Sequence, residues 1–336
     1  MPEQTGSEWP RVAVVGAGAV GCYFGGMLAR AGAPVTLVGR PGPRSAVIEA
    51  ISRDGLWMDT LHFQERVALA ATADPAAVRD AEFVLFAVKT PDNETAARGI
   101  APHLRAGAVV ISLQNGVENE AALRAVFTPA PGAVKPAVLP SVVYVAASMP
   151  APGRLKHVGR GDLVIGPGRD AQSATQVERV AALFVRAGVP CRISPNIEGE
   201  LWTKLVWNCA GNAVSALGRA SYGLAGGLGP TQRVMGAAAE EVAAVARASG
   251  VSLPDINLLE MGLKLAVTLG AATSSTSQDV ERGRRTEIDS LNGFIARRGA
   301  ELGVPTPVNH TLWALVKLLE ERNAQSAARA AAGESG

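Results

Sequence analysis

Residues 11–40, RVAVVGAGAVGCYFGGMLARAGAPVTLVGR, decide the fold. Val12 to Val15 is a short β-branched run that ends at Gly16. Val20 to Arg30 reads as a helix closed by Gly32, and Pro34 to Val38 reads as a second strand. Gly16-Ala17-Gly18-Ala19-Val20-Gly21 has GxGxxG spacing, follows a strand and opens a helix. In that setting the first glycine makes a tight turn and the second lets the backbone approach a pyrophosphate. The third lets helix and strand pack closely. The helix N-terminus adds amide donors and a positive partial charge for phosphates. The competing explanation, a glycine-rich turn with no ligand, does not account for the strand-turn-helix context.

The end of the second strand separates two cofactors. NAD sites usually carry an acid there for the ribose hydroxyls. Here the strand runs into Gly39-Arg40, and the first acid is Glu49. Arg40 suits the 2′-phosphate of NADP, with Arg44 as a second contact. The expected cofactor is therefore NADPH. No second FAD-type motif is present.

Further along, Phe83 to Val88 and Ala108 to Leu113 are apolar strands with a helix-like segment between them. Continuous apolar strands separated by helices predict a parallel sheet covered on both faces, an α/β doubly wound arrangement. Ser141 to Ala146 and Leu155 to Ile165 read as antiparallel strands, with turns at Gly159 and Gly161. After Pro195 the pattern becomes helical, over Glu198–Leu217, Gln232–Ala248, Asn257–Leu269, Thr286–Leu302 and His310–Glu321. The expected organisation is a disordered tail over 1–10 and a nucleotide-binding domain over 11–194. A helical substrate and dimerisation domain over 195–322 and a flexible tail over 323–336 follow.

Composition excludes several classes. Lys+Arg 32 against Asp+Glu 30 gives a net charge of +2, too balanced for a nucleic-acid binder. The three cysteines, Cys22, Cys191 and Cys209, form no CxxC pair, so neither a disulfide framework nor a zinc site is indicated. MPEQTGSEWP lacks the basic and apolar regions of a signal peptide, and no apolar run reaches the ~20 residues of a membrane helix. The expectation is a cytoplasmic protein without membrane, nucleic-acid or metal partners. Oligomeric state stays open, with a homodimer through the apolar second-domain helices as the candidate.

The second domain carries its own signal. In WTKLVWNCAGNAVSAL, residues 202–217, Lys204, Asn208 and Asn212 recur every four residues and share one stripe of a helix. An apolar helix with an ammonium and two amides on one stripe needs partners for them. Lys89 and Asn115 follow the strands FVLFAV and AVVISL, where open α/β sheets bind ligands. Taken alone, Lys89 could be a strand-terminating charge and Asn115-Gly116 a turn dipeptide. SSTSQD, residues 274–279, could be a helix N-cap. Glu287 in RRTEID, residues 284–289, could be a surface charge.

As an ordered set these motifs resemble the ketopantoate reductase (2-dehydropantoate 2-reductase) family, over roughly Arg11 to Glu321. The resemblance implies a Rossmann domain followed by an all-helical domain. It also implies NADPH-dependent reduction of 2-dehydropantoate, a small 2-keto acid, to (R)-pantoate in pantothenate biosynthesis. It makes Lys204 the general acid and Glu287 its active-site partner. Asn208, Asn212 and Ser275 would hold substrate. Asn115 would lie near substrate and nicotinamide, and Lys89 beside the cofactor. The site is expected in the interdomain cleft. Two departures bear on substrate identity: Ala213 stands where proline often follows the second asparagine, and Tyr222 stands where some members carry asparagine. The alternatives are a reductase of another 2-keto acid, a β-hydroxyacid dehydrogenase, which shares the K-x-x-x-N helix, and a cofactor sensor without turnover. The missing acid after the second strand and the RRTEID segment argue against the dehydrogenase. Lys204 together with Glu287 argues against the sensor.

Overall fold

A computed structural model of the chain describes residues 9–42, 45–127, 135–169 and 171–331. The chain divides into two compact units after Ile197. That is slightly later than Ser194-Pro195, because the Ser194 amide still donates to the Ile165 carbonyl at 2.8 Å.

In the first unit β1 (Val12–Val15) leads through α1 (Ala19–Arg30) to β2 (Val35–Val38) and α2 (Ala46–Asp54). The short strands β3 (Leu56–Asp59), β4 (Gln64–Val67) and β5 (Ala70–Thr72) come next. Then follow β6 (Phe83–Phe86), α3 (Asn93–Ile100), β7 (Val109–Ser112) and α4 (Asn119–Val126). The unit closes with β8 (Ala137–Ala151), β9 (Arg154–Ile165), α5 (Ala171–Arg186) and β10 (Cys191–Ile193).

Strands β5-β2-β1-β6-β7-β8 run side by side and all parallel. The chain builds outward from β1 to one side, then restarts at β6 on the other. That is the strand order of a Rossmann sheet, and it puts a switch point between β1 and β6, where ligands bind outside the strand ends. Side chains alternate between two cores. Val12, Val14, Leu37 and Leu85 pack with Phe24 and Leu28 of α1 and Phe184 of α5. Ala13, Val15, Val84 and Phe86 pack with Ala97 and Ile100 of α3 and Leu123 of α4. Both faces of these strands are buried, which explains their unbroken apolar sequence.

One strand serves two sheets. Ala137 to Pro140 of β8 pair parallel with β7, and Ser141 onward pairs antiparallel with β9. The hairpin turns at Pro152-Gly153, with Gly153 at φ 69°, and not at Gly159 and Gly161. Those two glycines lie inside β9 beside register shifts, where an extra residue bends the strand.

The second unit holds α6 (Ile197–Gly218), α7 (Tyr222–Gly227), α8 (Gly229–Ala248) and α9 (Leu258–Leu269). It continues with α10 (Ser275–Glu281), α11 (Asn292–Leu302) and α12 (Pro307–Ala331). Three expectations need correction. Thr286 to Asp289 precede α11 as a loop and a 3₁₀ turn, so Glu287 lies on a loop and not on a helix. The segment after Arg322 is helical to Ala331, since α12 continues through it. Residues 1–8 and 332–336 lie outside the described residues, but Trp9 of the expected N-terminal tail packs its ring under the Arg186 guanidinium at 3.7 Å.

Buried amides tie the helices together. Asn292 of α11 donates to the Cys209 carbonyl of α6 at 3.0 Å and to Asn309 Oδ1 of α12 at 2.9 Å. Glu241 of α8 accepts the Val308 and Asn309 amides at 2.9 Å each, which places a carboxylate at the N-terminus of α12. The loop before α11 is clamped to α12. Asp289 accepts from Trp313 Nε1 at 2.8 Å and Lys317 Nζ at 2.9 Å, and the Thr286 amide donates to Glu320 at 2.7 Å.

Burial opposes ionisation of Asp289, but the bonds from Trp313 and Lys317 outweigh it and hold the carboxyl below its usual value. A lowered folded-state value means that the stabilisation is complete above the unfolded value of about 3.9 and is lost as pH falls through the folded one. Asp289→Asn is expected to cost roughly 1–2 kcal/mol at pH 7, after discounting for partial exposure. Denaturant titrations at pH 7 and below pH 4 check this: the gap to wild type should narrow in acid.

Candidate functional site

The turn after β1 is built from glycine for steric reasons. Gly16 has φ 110°, a conformation other residues avoid, and a methyl there would stand 2.7 Å from the Ala87 carbonyl carbon at the end of β6. A methyl on Gly21 would run into the Gly16 carbonyl oxygen, so α1 can start against β1 only with glycine there. Gly18 differs: a methyl on it would meet nothing within 4 Å. It is exposed, it caps α1, and the first turn of α1 has no acidic side chain and no side-chain cap. Ala17, Ala19 and Val20 are half-buried around it. The protein thus leaves open the spot where a phosphate can approach backbone amides and the positive end of a helix.

The other candidates of the first unit surround this turn. Arg40 follows β2, Lys89 follows β6 and Asn115 follows β7, so all stand at carboxyl ends of strands in one parallel sheet. Arg40 pairs through Nη1 with Asp92 Oδ1 at 2.8 Å. Arg44 lies outside the described residues.

A buried amide network that sequence reasoning missed holds two of these turns. Gln114 donates through Nε2 to the Val88 carbonyl at 2.8 Å and to Asn93 Oδ1, and accepts from Ser112 Oγ at 3.0 Å. Asn93 donates to Asn119 Oδ1 at 2.8 Å, and Asn119 donates to the Asn115 carbonyl at 2.6 Å. The Lys89 and Asn115 turns are therefore locked to one another. The one signal in the sequence is Gln114 at a buried strand end beside Asn115. Gly116 takes φ 95°, as expected of an Asn-Gly turn.

In the second unit α6 is unbroken from Ile197 to Gly218, so Lys204, Asn208 and Asn212 do share one stripe. Ala213 is fully buried in a core with Ile288, Leu312 and Val316, a place where it keeps the helix regular. Ile288 brings the loop of Glu287 against that part of α6. Lys204 and Glu287 are both half-buried. Asn212 is 3% exposed, and its Oδ1 accepts from Tyr222 Oη at 2.7 Å. Burial pushes the Tyr222 phenol above its usual value, so it stays a donor. Among the described residues the Asn212 amide nitrogen has no hydrogen-bond partner, and neither does the Asn208 side chain.

Ser274 caps α10 by accepting from the Ser277 amide at 3.0 Å, and its Oγ donates to the Asn212 carbonyl at 3.0 Å. The serine cluster is thus a helix cap that also fastens α10 to α6. Ser275, the first residue of α10, is exposed. Among the described residues no group of three or more His, Cys, Asp or Glu could hold a metal ion, and no helix is long and apolar enough to cross a membrane.

Two family models match the chain: "Ketopantoate reductase PanE/ApbA" over residues 12–170 and "Ketopantoate reductase PanE/ApbA C terminal" over residues 196–320. A 2-dehydropantoate 2-reductase of Halobacterium salinarum is 34% identical, covering 92% of this chain and 99% of the relative. Among solved structures, a PanE/ApbA family ketopantoate reductase from Ralstonia eutropha JMP134 superposes with a TM-score of 0.84 at 46% identity. It covers 94% of this chain and 99% of that one. A D-mandelate dehydrogenase, solved with NADH and anilino(oxo)acetate, shares the fold at 23% identity, with a TM-score of 0.85 and coverage of 94% and 99%.

The glycine turn makes a paired prediction. Gly18→Ala should melt within a degree or two of wild type yet bind a dinucleotide at least about tenfold more weakly, because the methyl occupies the space for phosphate. Gly21→Ala should lose roughly 1–3 kcal/mol of stability from overpacking. Thermal melts and nucleotide titrations on both variants separate the two roles.

Proposed function

The chain belongs to the ketopantoate reductase family, and from that premise we propose that it reduces 2-dehydropantoate to (R)-pantoate with NADPH, a step toward pantothenate. One observation carries the reading: an apolar helix presents Lys204 with two amides, Asn208 and Asn212, whose donors the protein does not use. Donors left over on a largely buried stripe suit the oxygens of a small acid, since a polar group out of water needs a partner. The open space at Gly18 and the cation at Arg40 fit a phosphorylated dinucleotide.

Bound dihydronicotinamide supplies the hydride that reduces the keto carbon. Lys204 does the rest of the chemistry. Its ammonium stabilises the negative charge that grows on the keto oxygen, then donates the proton that completes the hydroxyl. Glu287, held on a loop clamped to α12, orients that ammonium and balances its charge. Asn208 and Asn212 donate to the carboxylate and fix the keto carbon in place, and Ser275 adds a hydroxyl from the start of α10. Asn115 would lie near substrate and nicotinamide, and Lys89 beside the cofactor.

A second reading, reduction of a different 2-keto acid, is favoured by the Tyr222–Asn212 bond. The phenol takes one of the two lone pairs of Oδ1, which leaves Asn212 with both N–H donors and a single acceptor position and so suits it better to a carboxylate than to the proton of a hydroxyl. Ketopantoate differs from 3,3-dimethyl-2-oxobutanoate only by a terminal hydroxyl. A site that binds the hydroxyl specifically rejects the analogue lacking it.

Lys204→Ala should lower kcat roughly 100- to 10,000-fold while leaving NADPH affinity nearly intact. Wild-type turnover by that variant would remove Lys204 from the mechanism. Rates of NADPH oxidation with ketopantoate and with 3,3-dimethyl-2-oxobutanoate decide the substrate, with ketopantoate expected to be preferred. Equal kcat/KM for the two would favour the second reading. NAD reduction with 3-hydroxy acids should be absent. Tyr222→Phe should raise KM for the preferred acid several-fold with little change in kcat, because it unfixes the Asn212 amide without touching the general acid.

A further inference from the structure

We propose that Asp92 limits how strongly the nucleotide site prefers a 2′-phosphorylated adenosine over an unphosphorylated one, an inference that rests on Arg40 being the 2′-phosphate ligand. The carboxyl end of β2 lacks the acid that holds ribose hydroxyls in NAD sites, and Arg40 stands there instead. The acid comes from elsewhere. In the strand order β2-β1-β6, Arg40 leaves the end of β2 and Asp92 follows the end of β6. Their side chains meet at 2.8 Å. Neighbouring strands lie about 4.8 Å apart, so the pair reaches across the end of β1, the strand that carries the glycine turn.

Asp92 is held in place for this. Its amide donates to the Lys89 carbonyl at 2.8 Å, within the 3₁₀ turn Thr90–Asp92. The next residue, Asn93, is buried and bonded to Gln114 and Asn119. The turn before it is fixed by Gln114 on the Val88 carbonyl. The carboxylate is therefore a built neighbour of the guanidinium and not a passing contact.

Its two consequences have opposite sign for the two cofactor forms. A phosphate dianion on Arg40 must share or displace the carboxylate and then sit beside a like charge, which weakens its binding. An unphosphorylated ribose brings hydroxyl donors, and a carboxylate at the same place accepts from them. Arg40 raises preference for the phosphorylated form, and Asp92 lowers it.

The test uses the intact protein and the probes adenosine 2′,5′-bisphosphate and 5′-AMP, titrated by calorimetry. It needs no turnover, so it stands apart from the choice of keto acid. Asp92→Asn keeps the shape of the residue at the start of α3, and the Asp92 side chain makes no cap bond there for the change to break. The ratio of Kd for 5′-AMP to Kd for the bisphosphate should rise about tenfold in Asp92→Asn. It should fall about tenfold or more in Arg40→Ala. A ratio unchanged or lowered in Asp92→Asn, with Arg40→Ala behaving as expected, overturns the role of Asp92. A ratio unchanged in Arg40→Ala overturns the placement of the 2′-phosphate itself. Asp92→Ala serves as a second variant, and its ratio must move in the same direction as that of Asp92→Asn.

Discussion

No side chain fits where the turn after the first strand meets the first turn of the first helix. The Cα of Gly21 faces the carbonyl oxygen of Gly16 so closely that a methyl would overlap it, and Gly16 itself lies against the Ala87 backbone. Much of the first unit follows from that contact. Because α1 starts so tightly, Phe24 and Leu28 reach the core shared with Val12, Val14 and Leu37. Because Gly16 touches Ala87, the ends of β1 and β6 are held together at the point where the strand order reverses. The open Gly18 amide and the N-terminus of α1 are then presented at that reversal, without a side chain spent on placing them.

The fold was legible where burial leaves a pattern. Val12–Val15, Phe83–Phe86 and Val109–Ser112 are buried on both faces, so each reads as an uninterrupted apolar run. Gln64–Val67 and Ala70–Thr72 lie partly exposed at the sheet edges and carry no such run, so nothing in the sequence marks them as strands. Gly159 and Gly161 look like turn residues, but in a strand that bends they relieve a bulge, and the turn falls on Pro152-Gly153 instead. Thr286 to Leu302 has helical composition throughout. Its first residues are pulled out of the helix by bonds from Thr286 and Asp289 to α12, partners that lie far along the chain.

The candidate site divides in the same way. Spacing alone places Lys204, Asn208 and Asn212 on one stripe, because a helix converts a period of four into a line. Spacing does not reveal what bonds a stripe residue. The Tyr222 phenol on Asn212 and the Ser274 hydroxyl on its carbonyl come from other helices. Likewise Gln114, Asn93 and Asn119 are unremarkable one at a time. Their meaning lies in the bonds these three buried amides make with one another between two turns.

This difference separates what is hard to change from what is easy. The nucleotide turn is made of backbone, and its requirements are absolute: a methyl at Gly21 has nowhere to go. The Lys204-Asn208-Asn212 stripe is made of side chains, and in the proposed reading its selectivity follows from how the Tyr222 phenol holds the Asn212 amide. A single residue at position 222 can change that hold while α6 and its core around Ala213 stay as they are. The proposed discrimination between cofactor forms has the same character, since Arg40, exposed, and Asp92, half-buried, are side chains added around a rigid turn. Reaction type is therefore tied to the fold more tightly than either substrate or cofactor preference. One fold can therefore host different selectivities when the side chains around a fixed backbone turn are exchanged.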